Sequence, residues 1–171
     1  MIHGRQNDAT ATSVVDDAAR VEGSAEALVA SLRSLGLNEI VIVDAACDRY
    51  ADFVAAARAG EVGLHFCCDG RSAVRLARKF RADAWLVSVE LADMSGFDLL
   101  EMLVPHVTHA DVDPTHSEGS RSAIFMVGDE YRIEDEQQTL ASGVAGYLVR
   151  PITLELVKAT RQSSLLESVD A

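Results

Sequence analysis

The sequence predicts an α/β fold in which a doubly wound, five-stranded parallel sheet is covered by helices on both faces. Five short apolar runs alternate along the chain with five segments whose apolar residues recur at helical spacing, which is the pattern of consecutive β-α units. The first run, residues 40–43, is wholly apolar, as expected for a strand buried on both faces. The chain has 171 residues, enough for one domain with a substantial core.

Residues 1–37 are predicted to be an N-terminal extension, ahead of a main domain over residues 38–171. Residues 1–23 are small and polar and lack an apolar period, which is typical of a mobile extension. Residues 24–35 then carry three leucines at helical spacing, between a serine that can cap a helix and a glycine that can end one. We therefore expect an extra helix before the main domain.

Within the main domain, each strand is predicted from a short apolar run. In chain order the runs are residues 40–43, 62–67, 85–89, 123–127 and 147–149. Each of the five helices is predicted from apolar residues that recur at helical spacing or from its place after a strand. In chain order the helices lie around residues 50–57, 73–80, 97–104, 133–141 and from about 153 onward.

Residues 105–122 interrupt this alternation. They contain two of the three prolines, three of the five histidines and several serines and threonines. Such a composition predicts a long loop between the third helix and the fourth strand.

Composition limits the classes of partner. The chain has 15 Lys+Arg against 27 Asp+Glu and a formal net charge of −12, which repels nucleic acids and anionic membranes, so neither is expected as a partner. No apolar run approaches the roughly 20 residues of a membrane span, and the first residues lack the apolar stretch of a secretory signal. Three cysteines without metal-site spacing predict a reduced, cytoplasmic protein.

Parallel sheets of this kind bind ligands at the carboxyl ends of their strands. Four residues lie at or just beyond predicted strand ends, and we seek the function there. They are Asp44, Ser88, Gly128 and Arg150.

Three segments resemble parts of response-regulator receiver domains. Residues 81–96 (RADAWLVSVELADMSG) are similar to the centre of such a domain, and residues 143–152 (GVAGYLVRPI) to its fifth strand and the Lys-Pro turn that follows. Residues 40–44 are similar to its first strand with the acidic end. The segments occur in the family's order, and the resemblance covers roughly residues 38–168, interrupted by the loop at residues 105–122. The resemblance implies a flavodoxin-like fold of the receiver type and a signalling domain rather than an enzyme.

The resemblance also implies which groups an active member needs. Such a receiver accepts a phosphoryl group on an aspartate beside bound magnesium, with two acids after the first strand, a hydroxyl after the fourth and a lysine after the fifth. Here Asp44 and Ala45 are at the two acid positions after the first strand, and Ser88 is at the position of the phospho-acceptor aspartate. Gly128 is at the hydroxyl position and Arg150 at the lysine position. Only the first acid is retained, so we expect a pseudo-receiver pocket with no phospho-acceptor aspartate, no catalytic residue, no metal and no cofactor.

Asp44 and Arg150 are expected to lie close together, at adjacent strand ends in the family's strand order. One arrangement is a direct bidentate pair, in which Arg150 replaces the metal as counter-ion. In the other arrangement both side chains extend into water and contribute little. We favour the pair, because strand-end acids in such pockets are usually only partly exposed.

Tyr147 corresponds to the aromatic residue that rotates inward in receivers on phosphorylation. Gly128 leaves room where a hydroxyl side chain usually lies. Tyr147 is therefore either held inward permanently or covers the neighbouring strands as a surface tyrosine.

The leading functional prediction is a phosphorylation-independent protein-interaction module in two-component or phosphorelay-type signalling. Its partner would be a histidine kinase, another regulator or a second copy in a homodimer. The alternative is a small-molecule or metal-binding sensor on the same fold, using the altered pocket or the histidine-rich loop, although such loop residues are more often solvated. The loop residues are His106, His109, Asp111, Asp113 and His116. A hydrolase is not expected, because no nucleophile elbow surrounds Ser88 and the nearest candidate base, His65, lies within a strand.

Two further features leave choices open. The second helix is basic and the fourth helix is acidic. These charged faces either guide the docking of a partner or of a second copy of the chain, or they are ordinary solvated helix faces. The basic residues are Arg71, Arg75, Arg78, Lys79 and Arg81, and the acidic ones Asp129, Glu130, Glu134, Asp135 and Glu136. The cysteines, Cys47, Cys67 and Cys68, are expected to be small buried hydrophobes, and only one of the adjacent two can face Cys47.

Overall fold

The computed structural model describes residues 36–107 and 122–167. The predicted N-terminal helix at residues 24–35 and most of the predicted histidine-rich loop lie outside the described residues. None of the described helices is long and apolar enough to cross a membrane.

In the part of the chain that the structure describes, five parallel strands form one sheet. They are β1 (Glu39–Val43), β2 (Gly63–Cys67), β3 (Ala84–Ser88), β4 (Ala123–Gly128) and β5 (Gly146–Val149). Their order across the sheet is β2-β1-β3-β4-β5, and every neighbouring pair is parallel. The predicted fold class, a doubly wound parallel α/β sheet, is confirmed.

A helix follows each strand. Within the described residues the α-helices are α1 (Ala51–Arg58), α2 (Gly70–Ala77), α3 (Gly96–Val107), α4 (Ile133–Ala141) and α5 (Leu154–Glu167), and a short 3-10 helix (Cys47–Tyr50) leads into α1.

The core lies on both faces of the sheet, because alternate residues of a strand point to opposite sides. In β1, Ile40 and Ile42 belong to one buried cluster, while Val41 and Val43 belong to the cluster on the other face. Helices α1 and α5 pack on the first face, and α2 and α3 on the second. Burial on both faces explains why the run at residues 40–43 contains no polar position.

Two sequence predictions need correction at helix ends. The predicted loop from residue 105 begins later, because α3 continues through Pro105 to Val107. Val107 is buried in the core, so its packing offsets the backbone hydrogen bond that proline removes in the last turn. Helix α2 ends at Ala77, before the predicted end at residue 80, although Phe80 still packs against the same core.

Candidate functional site

The carboxyl ends of the strands bring the predicted site residues together. Ser88 and Gly128 are the last residues of β3 and β4, and Asp44 and Arg150 directly follow β1 and β5. Ala45 is exposed beside Asp44. A cleft of about 320 Å³ opens at this edge, lined by Ser88, Gly128 and Arg150 among others.

The carboxylate of Asp44 is buried and fully engaged. Its side chain is only 6% exposed. Oδ1 accepts a hydrogen bond from the backbone N–H of Ala46 at 2.9 Å, and Oδ2 accepts one from the Tyr50 hydroxyl at 2.8 Å. The Arg150 guanidinium also donates to Oδ2. Both oxygens of Asp44, the acid that directly follows β1, are therefore occupied by donors of the chain itself.

Arg150 connects three groups at this edge. Its Nη2 donates to Asp44 and to Ser88 Oγ, the latter at 3.1 Å, and its Nη1 donates to Asp129 Oδ1 at 2.9 Å. Burial acts to lower the pKa of Arg150, but Tyr50 and Asp44 outweigh burial and raise it above its ordinary value. The side chain, 11% exposed, is thus a permanent cation inside the pocket.

The predicted contact between Asp44 and Arg150 is present, but two details of the prediction are wrong. The pair is not bidentate, because Arg150 uses one terminal nitrogen for Asp44 and the other for Asp129. The residues also do not follow adjacent strands, since β3 and β4 lie between β1 and β5. The length of the arginine side chain closes that gap across the strand ends.

Ser88 is buried, with 3% of its surface exposed. Among the described residues, its side-chain hydroxyl has one hydrogen-bond partner, the guanidinium of Arg150. That partner is a donor and not a base, so it cannot take the hydroxyl proton. His65 lies on β2 and contacts Glu39 at 3.1 Å, so it does not form a catalytic triad with Ser88 and Asp44.

Three residues of the site were not predicted from the sequence. Tyr50 donates to Asp44, and its burial, followed by that hydrogen bond, raises the pKa of its phenol far above the ordinary value. Asp129 accepts from Arg150 and also from Arg49, at 2.6 Å. Desolvation alone would raise the pKa of Asp129, but the two guanidinium groups lower it. The only sequence signal for these residues was their position just after β1 and β4.

Tyr147 packs directly over Gly128. A Cβ at position 128 would overlap the Tyr147 hydroxyl and lie 2.8 Å from its Cζ. The hydroxyl donates to the backbone carbonyl of Glu130 at 2.8 Å and lies 3.4 Å from Asp135 Oδ2. Burial, followed by the charge of Asp135, raises the pKa of Tyr147. The Tyr147 side chain therefore lies over Gly128 in the structure, and that it is held there permanently stays a prediction.

No protein-family model matches the sequence, and no curated protein sequence matches it. Solved structures do. A two-component response regulator from Clostridium difficile is 17% identical, with a TM-score of 0.61 over 77% of this chain and 98% of that one. The chemotaxis protein CheY4 of Vibrio cholerae is 22% identical, with a TM-score of 0.58 over 75% of this chain and 99% of that one. The chain has the receiver fold.

A third solved structure of the receiver fold, from another organism, is also similar to this chain. The CheY-like receiver domain protein of Methanospirillum hungatei is 18% identical, with a TM-score of 0.58 over 77% of this chain and 99% of that one. At these identities the likeness shows the fold, and the function has to be argued from the site.

Magnesium, which the receiver fold implies, does not suit the residues present. A magnesium ion needs free oxygen ligands in near-octahedral geometry. Here Ala45 supplies no oxygen, both oxygens of Asp44 accept hydrogen bonds, and the Arg150 guanidinium is in contact with Asp44. The described residues also contain no cluster of three or more metal-ligating side chains. The cation in contact with Asp44 is the Arg150 guanidinium.

Two other sequence features have a defined place on the receiver fold. The basic residues on and just after α2 are all exposed, while the acidic residues around α4 are exposed or half-buried. His106 lies in α3, where its backbone carbonyl accepts from Arg81. The other four residues of the predicted histidine-rich site lie outside the described residues.

The cysteines correct a sequence prediction. Only Cys67 is buried, whereas Cys47 is half-buried and Cys68 is exposed. Cys68 directly follows the last residue of β2, where the chain leaves the sheet for α2, so its side chain is not covered by the core.

Proposed function

We propose that this chain is a pseudo-receiver, a receiver-fold protein without the phospho-acceptor aspartate. It acts as a phosphorylation-independent protein-interaction module in two-component or phosphorelay-type signalling, in a cytoplasmic setting. The contact of Arg150 with both Asp44 and Ser88 carries the proposal. One guanidinium engages the acid that follows β1 and the residue at the acceptor position.

The chemistry at Ser88 opposes phosphoryl transfer. A response regulator from Burkholderia pseudomallei of the same fold, 16% identical with a TM-score of 0.60, has a phosphorylated aspartic acid and a calcium ion. At the position that the resemblance assigns to the acceptor, this chain has Ser88. A serine hydroxyl attacks phosphorus only when a base removes its proton, and Ser88 contacts a guanidinium instead.

The charge of the cleft also opposes phosphoryl transfer. The residues that line it include four acids and two arginines, namely Glu90, Asp129, Glu130, Asp135, Arg132 and Arg150. Without a divalent cation, this excess of carboxylates repels an incoming phosphoryl donor. Arg150 is already paired with Asp44 and Asp129, and Arg132 with Glu130.

In this proposal the pocket keeps one arrangement, so the surface formed by α4, β5 and α5 keeps one conformation. Tyr147 lies over Gly128, and its hydroxyl donates to the backbone carbonyl of Glu130. Large apolar side chains are exposed at or beside α4 and α5, which favours contact with another protein. They are Tyr131, Ile133, Leu140 and Leu156. The proposed partner is a histidine kinase, another regulator or a second copy of the chain.

Acetyl phosphate tests the proposal. The chain is incubated with acetyl phosphate and Mg²⁺ beside a phosphorylatable receiver as positive control, and the intact mass is measured. We expect no gain of a phosphoryl group under conditions that modify the control. A gain that persists in Ser88→Ala would overturn the assignment of the pocket, and a gain lost in Ser88→Ala would overturn phosphorylation independence.

The cleft supports a second candidate, a small-molecule sensor. Its volume of about 320 Å³ suits a small ligand, and its excess of carboxylates favours a ligand with a cationic group. A thermal-shift screen of small amines tests this candidate. A saturable rise in melting temperature that is lost in Asp135→Asn and Glu90→Gln would favour the sensor, and a flat response would remove it.

A further inference from the structure

Two of the three thiols meet at the carboxyl ends of β1 and β2. The strands pair with Val43 opposite Cys67, and the Asp44 N–H donates to the Cys67 carbonyl at 3.0 Å. The next residue, Cys68, therefore lies beside Asp44. Cys47 lies on the 3-10 helix that follows, with its Sγ 3.5 Å from the Asp44 carbonyl oxygen. Burial, followed by the neighbouring Cys68 thiol, raises the pKa of Cys47.

The three thiols differ in access. Cys68 is exposed, Cys47 half-buried and Cys67 buried. Burial, followed by the charge of Asp69, raises the pKa of Cys67 to about 11, which keeps that thiol protonated and unreactive. An oxidant in solution therefore meets Cys68 first, and the sulfur beside it belongs to Cys47.

We propose that Cys47 and Cys68 form a reversible intramolecular disulfide, which makes this edge of the sheet a redox modification site. A peroxide is the oxidant. The Cys68 thiol is oxidised to a sulfenic acid while hydrogen peroxide is reduced to water, and the Cys47 sulfur then attacks the Cys68 sulfur. The S–S bond forms as the S–O bond breaks, and the hydroxyl leaves with the Cys47 proton as a second water.

The proposed disulfide would join the 3-10 helix to the segment that begins α2. Cys47 begins the 3-10 helix that carries Arg49 and Tyr50, whose side chains contact Asp129 and Asp44. Cys68 precedes Asp69, which caps α2 by accepting from the Ser72 N–H at 2.7 Å. Oxidation would fix the first turn of the pocket to the start of α2. Cytosolic disulfides of this kind are usually transient and redox-sensing, and a dithiol reductant reverses them.

Thiol counting with peptide mapping tests the pair in the full chain. The reduced protein is treated with hydrogen peroxide, denatured in N-ethylmaleimide and digested. The untreated protein should take three labels. The treated protein should take one, on Cys67, with a linked peptide joining Cys47 to Cys68, and dithiothreitol should restore all three labels.

Single variants make the result specific. Cys67→Ala should still form the Cys47–Cys68 link and take no label after oxidation, while Cys47→Ala and Cys68→Ala should form no intramolecular link. Three labels on the treated wild-type chain, a link that contains Cys67, or a dimer joined through Cys68 would overturn the proposal. The result is independent of acetyl-phosphate reactivity, so it stands or fails separately from the proposed function.

Discussion

Arg150 reaches across the ends of two strands to hold the carboxylate of Asp44. The contact uses one terminal nitrogen of the guanidinium, which also donates to Ser88, while the other terminal nitrogen donates to Asp129. Both partners of the central pair are nearly buried, with side chains 11% and 6% exposed. In such surroundings each charge depends on the other, because neither is well solvated alone.

Removing the cation should therefore destabilise the protein strongly. Arg150→Met leaves the Asp44 carboxylate buried without its counter-ion, and we expect the free energy of unfolding to fall by about 3 kcal/mol. Urea unfolding measures the loss. The double variant Asp44→Asn with Arg150→Met should recover part of it, because the uncompensated charge is gone.

Arg49→Met is the matched control for this prediction. Arg49 also binds Asp129, but the side chains of this pair are 49% and 64% exposed. Exposed pairs contribute roughly 0–1 kcal/mol, so this variant should unfold close to the wild-type midpoint. Equal losses in Arg150→Met and Arg49→Met would show that the buried pair has no special role.

Tyr50 predicts a pH dependence at high pH. Its folded-state pKa is raised above the unfolded value by burial and by the hydrogen bond to Asp44. The stability from the protonated phenol is thus fully present below about pH 10, the unfolded pKa, and is lost as pH rises toward the folded pKa. The advantage of wild type over Tyr50→Phe should shrink by about 1.4 kcal/mol per pH unit in that window.

Urea unfolding of wild type and Tyr50→Phe, measured in parallel, checks this expectation. The measurements run from about pH 8 to about pH 11, a range that includes the ordinary pKa of tyrosine. The difference between the two proteins cancels the other groups that titrate in the same range, including the thiol of Cys67, whose pKa is raised to about 11. A difference that stays constant with pH would mean that the Tyr50 phenol loses its proton equally easily in both states.

Gly128 should not tolerate a side chain while Tyr147 is inward. A Cβ at this position overlaps the Tyr147 hydroxyl, so Gly128→Ala should cost about 1–3 kcal/mol through overpacking. In the Tyr147→Ala background the same change should cost at least about 1 kcal/mol less, because the clashing ring is absent.

Gly146→Ala is the control in a neighbouring strand. A Cβ there meets Thr160 Cγ2 at 3.9 Å and Phe125 at 4.0 Å, which is ordinary van der Waals contact. We expect little loss of stability on urea unfolding. If Gly128→Ala and Gly146→Ala unfold at the same urea concentration, Tyr147 does not occupy the space over Gly128 in solution.

The sheet could be predicted because burial on both faces leaves a plain signal in the sequence. The run at residues 40–43 has no polar position, and its four residues divide evenly between the two core clusters. The fourth helix was predicted with the same bounds that the structure has, Ile133–Ala141. Strand ends then fixed where Asp44, Ser88 and Arg150 lie.

The partners of the site residues were harder to predict, because side-chain direction depends on tertiary packing. The spacing between Asp44 and Tyr50 becomes meaningful only once the 3-10 helix turns Tyr50 back toward the end of β1. The second acceptor of Arg150, Asp129, comes from the β4–α4 connection, so a bidentate pair with Asp44 looked sufficient from the sequence alone. In the structure, Arg150 divides its two terminal nitrogens between these acids.

A magnesium titration tests the central claim, that Arg150 replaces the metal as the partner of Asp44. The fluorescence of Trp85, the one tryptophan of the chain and fully buried in β3, provides one signal. Relaxation enhancement by Mn²⁺, as a paramagnetic substitute for Mg²⁺, provides a second. We expect no saturable change in either signal in the millimolar range. Saturable binding by the wild-type chain that disappears in Asp44→Asn would contradict the account.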